Sequence, residues 1–376
     1  MTERLVQVHR AMMAAPADGI LESLAECLTR LYPITEVQVL LVDYRLAMLL
    51  PLGDGVPATK PGDPAWRCFD HQAATPDGPA VHLPVTTRGE RVGVMRVSPE
   101  PEDAGDLAEL AEIATMLAHE MQAARASTDR YTVAARSRRL TLAAEMQWEL
   151  LPGRSRIRPS FSLAGQLEPA YAVRGDTFDW AEADGCLYLT VLNGMGEGMT
   201  AALLSSLATY ALRNARRAGL GLADQAALAD QAVYAQHRGA QHVSALMLEL
   251  ELRTGVLRVV DAGSPRMLLL RDGEVFDEEL TAQFPLGMFE SSDYRTQDLA
   301  LSPGDRVMIV SDGVFDAPGR TGPYGEAALR RFVRQAGSRA PLQAVRSLIG
   351  DLQTYLAGTD LDDDAVAVCL DWTGPR

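Results

Sequence analysis

Three aspartates and one asparagine stand where apolar runs of this 376-residue chain stop. Asp176 follows Arg174-Gly175 at the head of Thr177-Phe178-Asp179-Trp180, and Asn193-Gly194 closes the run from Leu187 to Leu192. Asp312 comes directly after residues 306–310 and Ser311, and Asp363 precedes the last apolar run, residues 365–370. Hard divalent cations such as Mg2+ and Mn2+ prefer oxygen ligands, carboxylates above all, and keep several waters. Two such ions about 3.5–4 Å apart activate a bridging water and polarise a phosphoryl group. Four strand ends carrying Asp or Asn suit that work if they meet in space. The plainer alternative is that each acid caps its own turn, which Asp often does.

Placing these groups falls to short strands. Residues 187–192 are too few for a helix, and the flanking glycines and β-branched residues favour a buried strand. The glycines of Asn193-Gly194-Met195-Gly196-Glu197-Gly198 permit positive φ and close backbone approach before a helix departs over 199–218. An ordinary hairpin followed by a helix would carry the same signature. Further on, the pattern predicts a helix at 222–238, then hairpins at 243–252/256–261 and 267–271/274–275. A strand follows at 306–310, then helices at 325–335 and 342–356 and a final strand at 365–370. Antiparallel hairpins with helices in sequential pairs predict an α+β sandwich from about residue 162.

The first third has a different rhythm and reads as a small α/β domain. Helices are expected at 18–32 and 103–124, a strand at 36–44, and a hairpin of 80–87 and 91–97 through Arg88-Gly89-Glu90. A Pro/Gly-rich loop at 51–64 and a plain turn at Thr75-Pro76-Asp77-Gly78 complete it. Cys68 and His71 lie close together in sequence, a pairing more often packing than chemistry. Between the domains, residues 127–151 predict a helical segment, basic at first and then carrying the stripe Leu142, Met146 and Leu150. It is either a solvated connector or a switch helix that couples the two domains, since an apolar stripe needs a cover.

Composition excludes several classes. The net charge of −15 and a pI near 4.9 argue against nucleic acid as a partner. Apolar runs fall short of the ~18–20 residues that span a bilayer, and no signal-peptide pattern opens the sequence. The four cysteines, Cys27, Cys68, Cys186 and Cys369, are widely spaced without a CxxC motif. They read as reduced thiols rather than a disulfide framework or zinc site. A cytoplasmic location is expected.

Two resemblances sharpen this reading. His82-Leu83-Pro84-Val85, then Gly89-Glu90-Arg91-Val92-Gly93-Val94-Met95 and the helix after them resemble a GAF domain, which implies a small-ligand sensor or a dimerisation unit over residues 1–125. A PAS-like or generic mixed domain has a similar element order. Residues 160–372 carry Gly175-Asp176-Thr177-Phe178-Asp179-Trp180, Asn193-Gly194-Met195-Gly196-Glu197-Gly198, Ala262-Gly263-Ser264-Pro265, Pro285-Leu286-Gly287, Pro303-Gly304-Asp305-Arg306, Ser311-Asp312-Gly313-Val314 and Asp363-Asp364 in this order. They look like the metal-dependent PPM protein phosphatases, in the bacterial branch typified by stage II sporulation protein E. The segment 126–153, ending Gln147-Trp148-Glu149-Leu150-Leu151-Pro152, resembles the helix that precedes such domains.

The second resemblance implies an antiparallel β-sandwich flanked by helices, with Mn2+ or Mg2+ at one end. Asp176, Asp312 and Asp363 would be the catalytic residues, and the same three with Asn193 and Gly194 would surround the metals. The implied reaction is hydrolysis of phosphoserine or phosphothreonine in a small regulatory protein, such as an anti-sigma factor antagonist, by metal-activated water. Four positions depart from the family pattern. Asn193 replaces the Asp that bridges both metals, Ser264 a His, Val366 a hydroxyl residue, and Arg174 a Gly. A neutral amide removes one negative charge and the bridge, which makes a two-metal site doubtful. Two readings follow: a GAF-regulated phosphatase, or a pseudophosphatase kept as a binding and signalling module. A homodimer is expected in either; an unrelated metal-free α/β protein is a third possibility.

Overall fold

The computed structural model describes residues 2–375 apart from 60–61, 100, 171–172, 320–321 and 357–360. Two residues of the loop expected at 51–64 thus lie outside the described residues. The chain divides into two compact units, Met1–Arg139 and Leu140–Arg376.

The first unit opens with α1 (Glu3–Ala14) and α2 (Ile20–Leu31), then β1 (Glu36–Val42) and β2 (Leu49–Pro51). Next come α3 (Pro64–His71), β3 (Thr75–Asp77), β4 (Ala80–Thr87), β5 (Glu90–Ser98), α4 (Ala104–Ala124) and the short α5 (Arg130–Ala134). The strands form one antiparallel sheet in the order β2-β1-β5-β4-β3. Its core joins Val8, Leu24 and Leu28 of the first two helices to Ile113 and Leu117 of α4 and to Val39, Leu83 and Met95 of the sheet. Helices α1 and α3 and the strands β2 and β3 are additional to the expected elements, and β3 takes up three of the four residues of the plain turn expected at Thr75-Pro76-Asp77-Gly78 by pairing with β4. Asp63 starts α3 by accepting from the Ala65 amide at 2.9 Å, with Pro64 in the first turn where no amide is needed.

The expected single helical segment at 127–151 is instead two helices, α5 in the first unit and α6 (Leu142–Leu150) in the second. Thr141 restarts the helix by capping the Ala144 amide at 3.2 Å. The covered face also differs from the stripe read in the sequence. Leu142 is 65% exposed, while Ala143, Ala144, Gln147, Trp148 and Leu150 are buried.

The second unit continues through β6 (Ser155–Ile157), β7 (Phe161–Glu168), β8 (Thr177–Ala183) and β9 (Cys186–Gly194) to α7 (Gly198–Arg217) and α8 (Leu222–His237). Then come β10 (Val243–Glu251), β11 (Val256–Ala262), β12 (Arg266–Arg271), β13 (Glu274–Asp277), β14 (Gln297–Ala300) and β15 (Arg306–Val310). The chain ends through α9 (Asp312–Phe315), the pair β16 (Pro318–Gly319) and β17 (Gly322–Pro323), α10 (Tyr324–Gln335), α11 (Pro341–Tyr355) and β18 (Ala365–Trp372). Two antiparallel sheets result, β14-β11-β10-β9-β8 and β13-β12-β15-β18-β7-β6. The fold is α+β, as expected.

The sheets approach closely where Gly165 of β7 meets Phe178 of β8: a Cβ there would lie 2.7 Å from the Phe178 ring. Helices α7 and α8 cover the first sheet through Leu204, Ala208, Leu212, Ala226 and Val233 against Leu192, Val243, Ala245 and Met247. Each of the buried Leu, Val and Met side chains among them is worth about 1.5–3 kcal/mol relative to exposure. The four cysteines are free; Cys186 is half-buried and the other three are buried. No described helix is long and apolar enough to cross a membrane.

Candidate functional site

Strand polarity brings the predicted residues to one end of the second unit. Asp176 immediately precedes β8, and Asn193 and Gly194 finish the antiparallel neighbour β9, so the three share an end of one sheet. Asp312 opens α9 just after β15, and Asp363 lies two residues before β18, which pairs antiparallel with β15; these two share an end of the other sheet. Ser264, in the turn from β11 to β12, joins them, since Asn193 donates to its hydroxyl at 3.1 Å. Asp312 and Asp363 line one pocket of about 260 Å3 together with Asp316, Asp362, Leu356 and Leu361.

Backbone geometry makes the closeness possible. A Cβ on Gly313 would sit 2.0 Å from the Asp364 carbonyl oxygen and 3.2 Å from the Asp363 Cβ. One on Gly194 would meet the Ser205 hydroxyl at 2.4 Å, because Ser205 of α7 reaches over to donate to the Gly175 carbonyl. Gly175 itself has φ +94°, a conformation costly for any residue with a side chain.

The organiser of the site is a residue the sequence reading passed over. Asp364 is fully buried, and its Oδ2 accepts from the amides of Arg174, Gly175 and Asp176 at 2.8, 2.9 and 3.3 Å. Its Oδ1 accepts from the Ala170 amide at 2.8 Å. Gln147 of α6 completes the shell, donating to Asp364 Oδ2 at 2.7 Å and to the Asp176 carbonyl at 3.0 Å. Such charge-assisted bonds are roughly twice as strong as neutral ones. They hold the loop before β8 in place. The signal in the sequence was the second Asp of Asp363-Asp364 and the Gln of the Gln-x-x-Leu-Leu-Pro stretch.

The candidate ligands stand in distinct environments. Asp176 is wholly buried, and neither carboxylate oxygen meets a donor among the described residues. Burial, then the charges of Asp364 and Asp312, drives its pKa well above the usual carboxylate range. Burial also raises Asp312, with the charge of Asp316 adding to it and the Gly313 and Asn193 donors opposing. Asp363 is pushed up to about 6, by burial first and then by Asp312, while the Asp364 amide and the Arg174 guanidinium pull it down.

Asn193 gives the site its character. Its amide nitrogen lies 2.6 Å from each oxygen of Asp312 and 3.1 Å from the Ser264 hydroxyl. The amide thereby presents its nitrogen, not its carbonyl oxygen, to Asp312 on one side and to Ser264 on the other. The orphaned carboxyl of Asp176 is the kind of group a cation relieves. The amide facing Asp312 is not, and among the described residues no three His, Cys, Asp or Glu side chains gather to hold a metal ion. These donors do not fit a bridged pair of cations.

Solved structures share the fold of this unit. The RsbU and RsbW domains of Rv1364c from Mycobacterium tuberculosis are similar at 26% identity and a TM-score of 0.50, over 60% of this chain and 62% of that one. The PP2C phosphatase domain of SpoIIE from Bacillus subtilis, with a fragment of its regulatory domain, matches at 16% identity and a TM-score of 0.51, over 58% and 64% of the two chains. The SiaA PP2C domain of Pseudomonas aeruginosa matches at 21% and 0.50, over 56% and 85%. This chain thus spans less than two thirds of the first two. Residues 183–373, just over half of the chain, match the family of stage II sporulation protein E (SpoIIE). A PPM-type sandwich with its acids gathered at one end, matched over that span, places the chain in the SpoIIE family.

Proposed function

We propose that this chain is a signalling protein that engages a phosphoserine- or phosphothreonine-bearing regulatory protein, and that it does so as a pseudophosphatase. The observation that carries this reading is the Asn193 amide at 2.6 Å from both Asp312 oxygens. In this orientation the amide turns its N–H2 rather than its carbonyl oxygen toward Asp312, and a neutral side chain lacks the charge of the missing Asp. The partner class is the anti-sigma factor antagonist type, on the family likeness and on the RsbU and RsbW domains of the M. tuberculosis relative.

A retained Mn2+- or Mg2+-dependent phosphatase is the second reading. It is favoured by the placement of Asp176, Asp312 and Asp363 at strand ends on the same end of the unit and by the Asp176 carboxyl, which lacks a hydrogen bond among the described residues. Hydrolysis of an aryl phosphate and of phosphoserine peptides in Mn2+ separates the two. The pseudophosphatase reading expects no turnover above a metal-only blank. Steady turnover that disappears in Asp312→Ala establishes the phosphatase instead.

The first unit acts in this reading as a GAF-like sensor for a small ligand, over residues 1–125, and its five-stranded antiparallel sheet with α1, α2 and α4 sharing one core against it supports that. Residues 126–153 relay its state to a phosphatase-type domain at 160–372, within a cytoplasmic homodimer. Gln147 is the physical contact that such a relay would use.

A further inference from the structure

We infer that Asn193 and Ser264 form a built-in replacement for the bridging cations, so that this site is assembled and held without metal. The inference rests on the pseudophosphatase reading and deepens it. Asn193 carries two amide hydrogens. One side of the amide spans both oxygens of Asp312, and the other reaches the Ser264 hydroxyl. Asp312 therefore has its charge met by donors from the chain: this amide, and the Gly313 N–H at 2.9 Å. Asp363 is served similarly, accepting from the Asp364 amide at 2.8 Å beside the positive charge of Arg174.

The two departures at Asn193 and Ser264 are chemically matched. An Asp at 193 would set a second carboxylate against Asp312 with nothing between them, unless a cation intervened. A hydroxyl at 264 is small, lies within reach of the amide and accepts its hydrogen. Each substitution makes sense of the other, and together they link β9, the turn after β11 and the start of α9. These three segments come from both sheets. The amide thus does the structural part of what a shared cation does, which is to let acidic strand ends from two sheets lie side by side.

The experiment compares the full-length parent chain with Asn193→Asp by thermal unfolding, in EDTA and in millimolar Mn2+, with Mn2+ binding followed by electron paramagnetic resonance. The expected result is a parent whose melting temperature is the same in both buffers. Asn193→Asp should melt several degrees lower in EDTA and recover at least part of that loss in Mn2+. Ser264→Ala should melt slightly lower than the parent without acquiring any response to Mn2+. The parent should show no bound Mn2+, or only Mn2+ that persists in Asp312→Ala and so lies elsewhere.

Mn2+ held by the parent and lost in Asp312→Ala would overturn the inference, and this measurement stands even if Asn193→Asp does not fold. An Asn193→Asp chain as stable as the parent in EDTA would overturn it too. The pseudophosphatase reading falls on a different result, turnover by the parent. Mn2+ bound through Asp312 without turnover would remove the inference and leave that reading intact.

Discussion

The side-chain amide of Gln147 donates to Asp364 Oδ2 at 2.7 Å, across 217 positions of sequence. Gln147 belongs to the helix that opens the second unit, and Asp364 to the loop before its last strand. The same nitrogen also reaches the Asp176 carbonyl at 3.0 Å. Movement of α6 therefore cannot leave the Asp176 loop undisturbed, because the two share a buried donor.

Gln147→Ala should lower the stability of the second unit by about 1.5–3 kcal/mol, the usual range for a hydrogen bond to a charged group. Urea unfolding of that unit checks the number. Hydrogen exchange supplies the specific readout: the amides of Arg174, Gly175 and Asp176 should lose protection together. Unchanged protection at these three positions would show that α6 does not hold the loop.

Adjacent aspartates should behave oppositely. Asp364 accepts from four backbone amides and Gln147, so Asp364→Asn, which sets an N–H2 group against those donors, should cost at least the ~1–3 kcal/mol of a buried donor left unsatisfied. Asp363→Asn should be mild by comparison in EDTA. A milder effect at 364 than at 363 in urea unfolding would reverse the roles assigned to them.

The pH dependence of Asp363 follows from its elevated pKa of about 6. A carboxyl whose folded value lies above its unfolded one, ordinarily near 3.9, keeps its proton longer in the native state. Its penalty is absent at low pH and grows as pH rises from about 4 through about 6. Asp363→Asn should therefore gain on the parent in EDTA as pH rises, with a larger difference in urea midpoint at about pH 7.5 than at about pH 4.5. A difference that stays flat or shrinks would contradict the burial argument.

Gly313→Ala should destabilise the second unit by about 2–3 kcal/mol or more, since overfilling a packed site typically costs 1–3 and here the clash is with backbone. The added Cβ would fall 2.0 Å from the Asp364 carbonyl. Unfolding by urea, with near-ultraviolet circular dichroism to report the native packing, measures the loss. A neutral effect would mean that α9 and the 363–364 turn are free to separate.

Light scattering tests the homodimer. Leu142 at 65% and Val133 at 58% exposure leave apolar surface on the two linker helices. The full chain should be a dimer and residues 140–376 alone a weaker one or a monomer. A full chain that is monomeric at tens of micromolar ends the dimer proposal.

The local pattern was enough to give the α+β class, the hairpins of the second unit and the acids at their ends. Alternation and glycine-rich turns are properties of neighbouring residues, and they survive without the fold. The ordered motifs likewise marked Asp176, Asn193, Asp312 and Asp363. Which end of which sheet each acid occupies was not local. It depended on β8/β9 and β15/β18 running antiparallel in two different sheets. Periodicity judged the linker only in part: of the stripe Leu142, Met146 and Leu150, packing buries Leu150 and leaves Leu142 exposed, while it also buries Gln147 and Trp148. The roles of Asp364 and Gln147 are purely tertiary. A carboxylate becomes an organiser only when amides from residues 170–176 are folded around it, and no spacing in the chain records that a helix near residue 147 will supply the last donor.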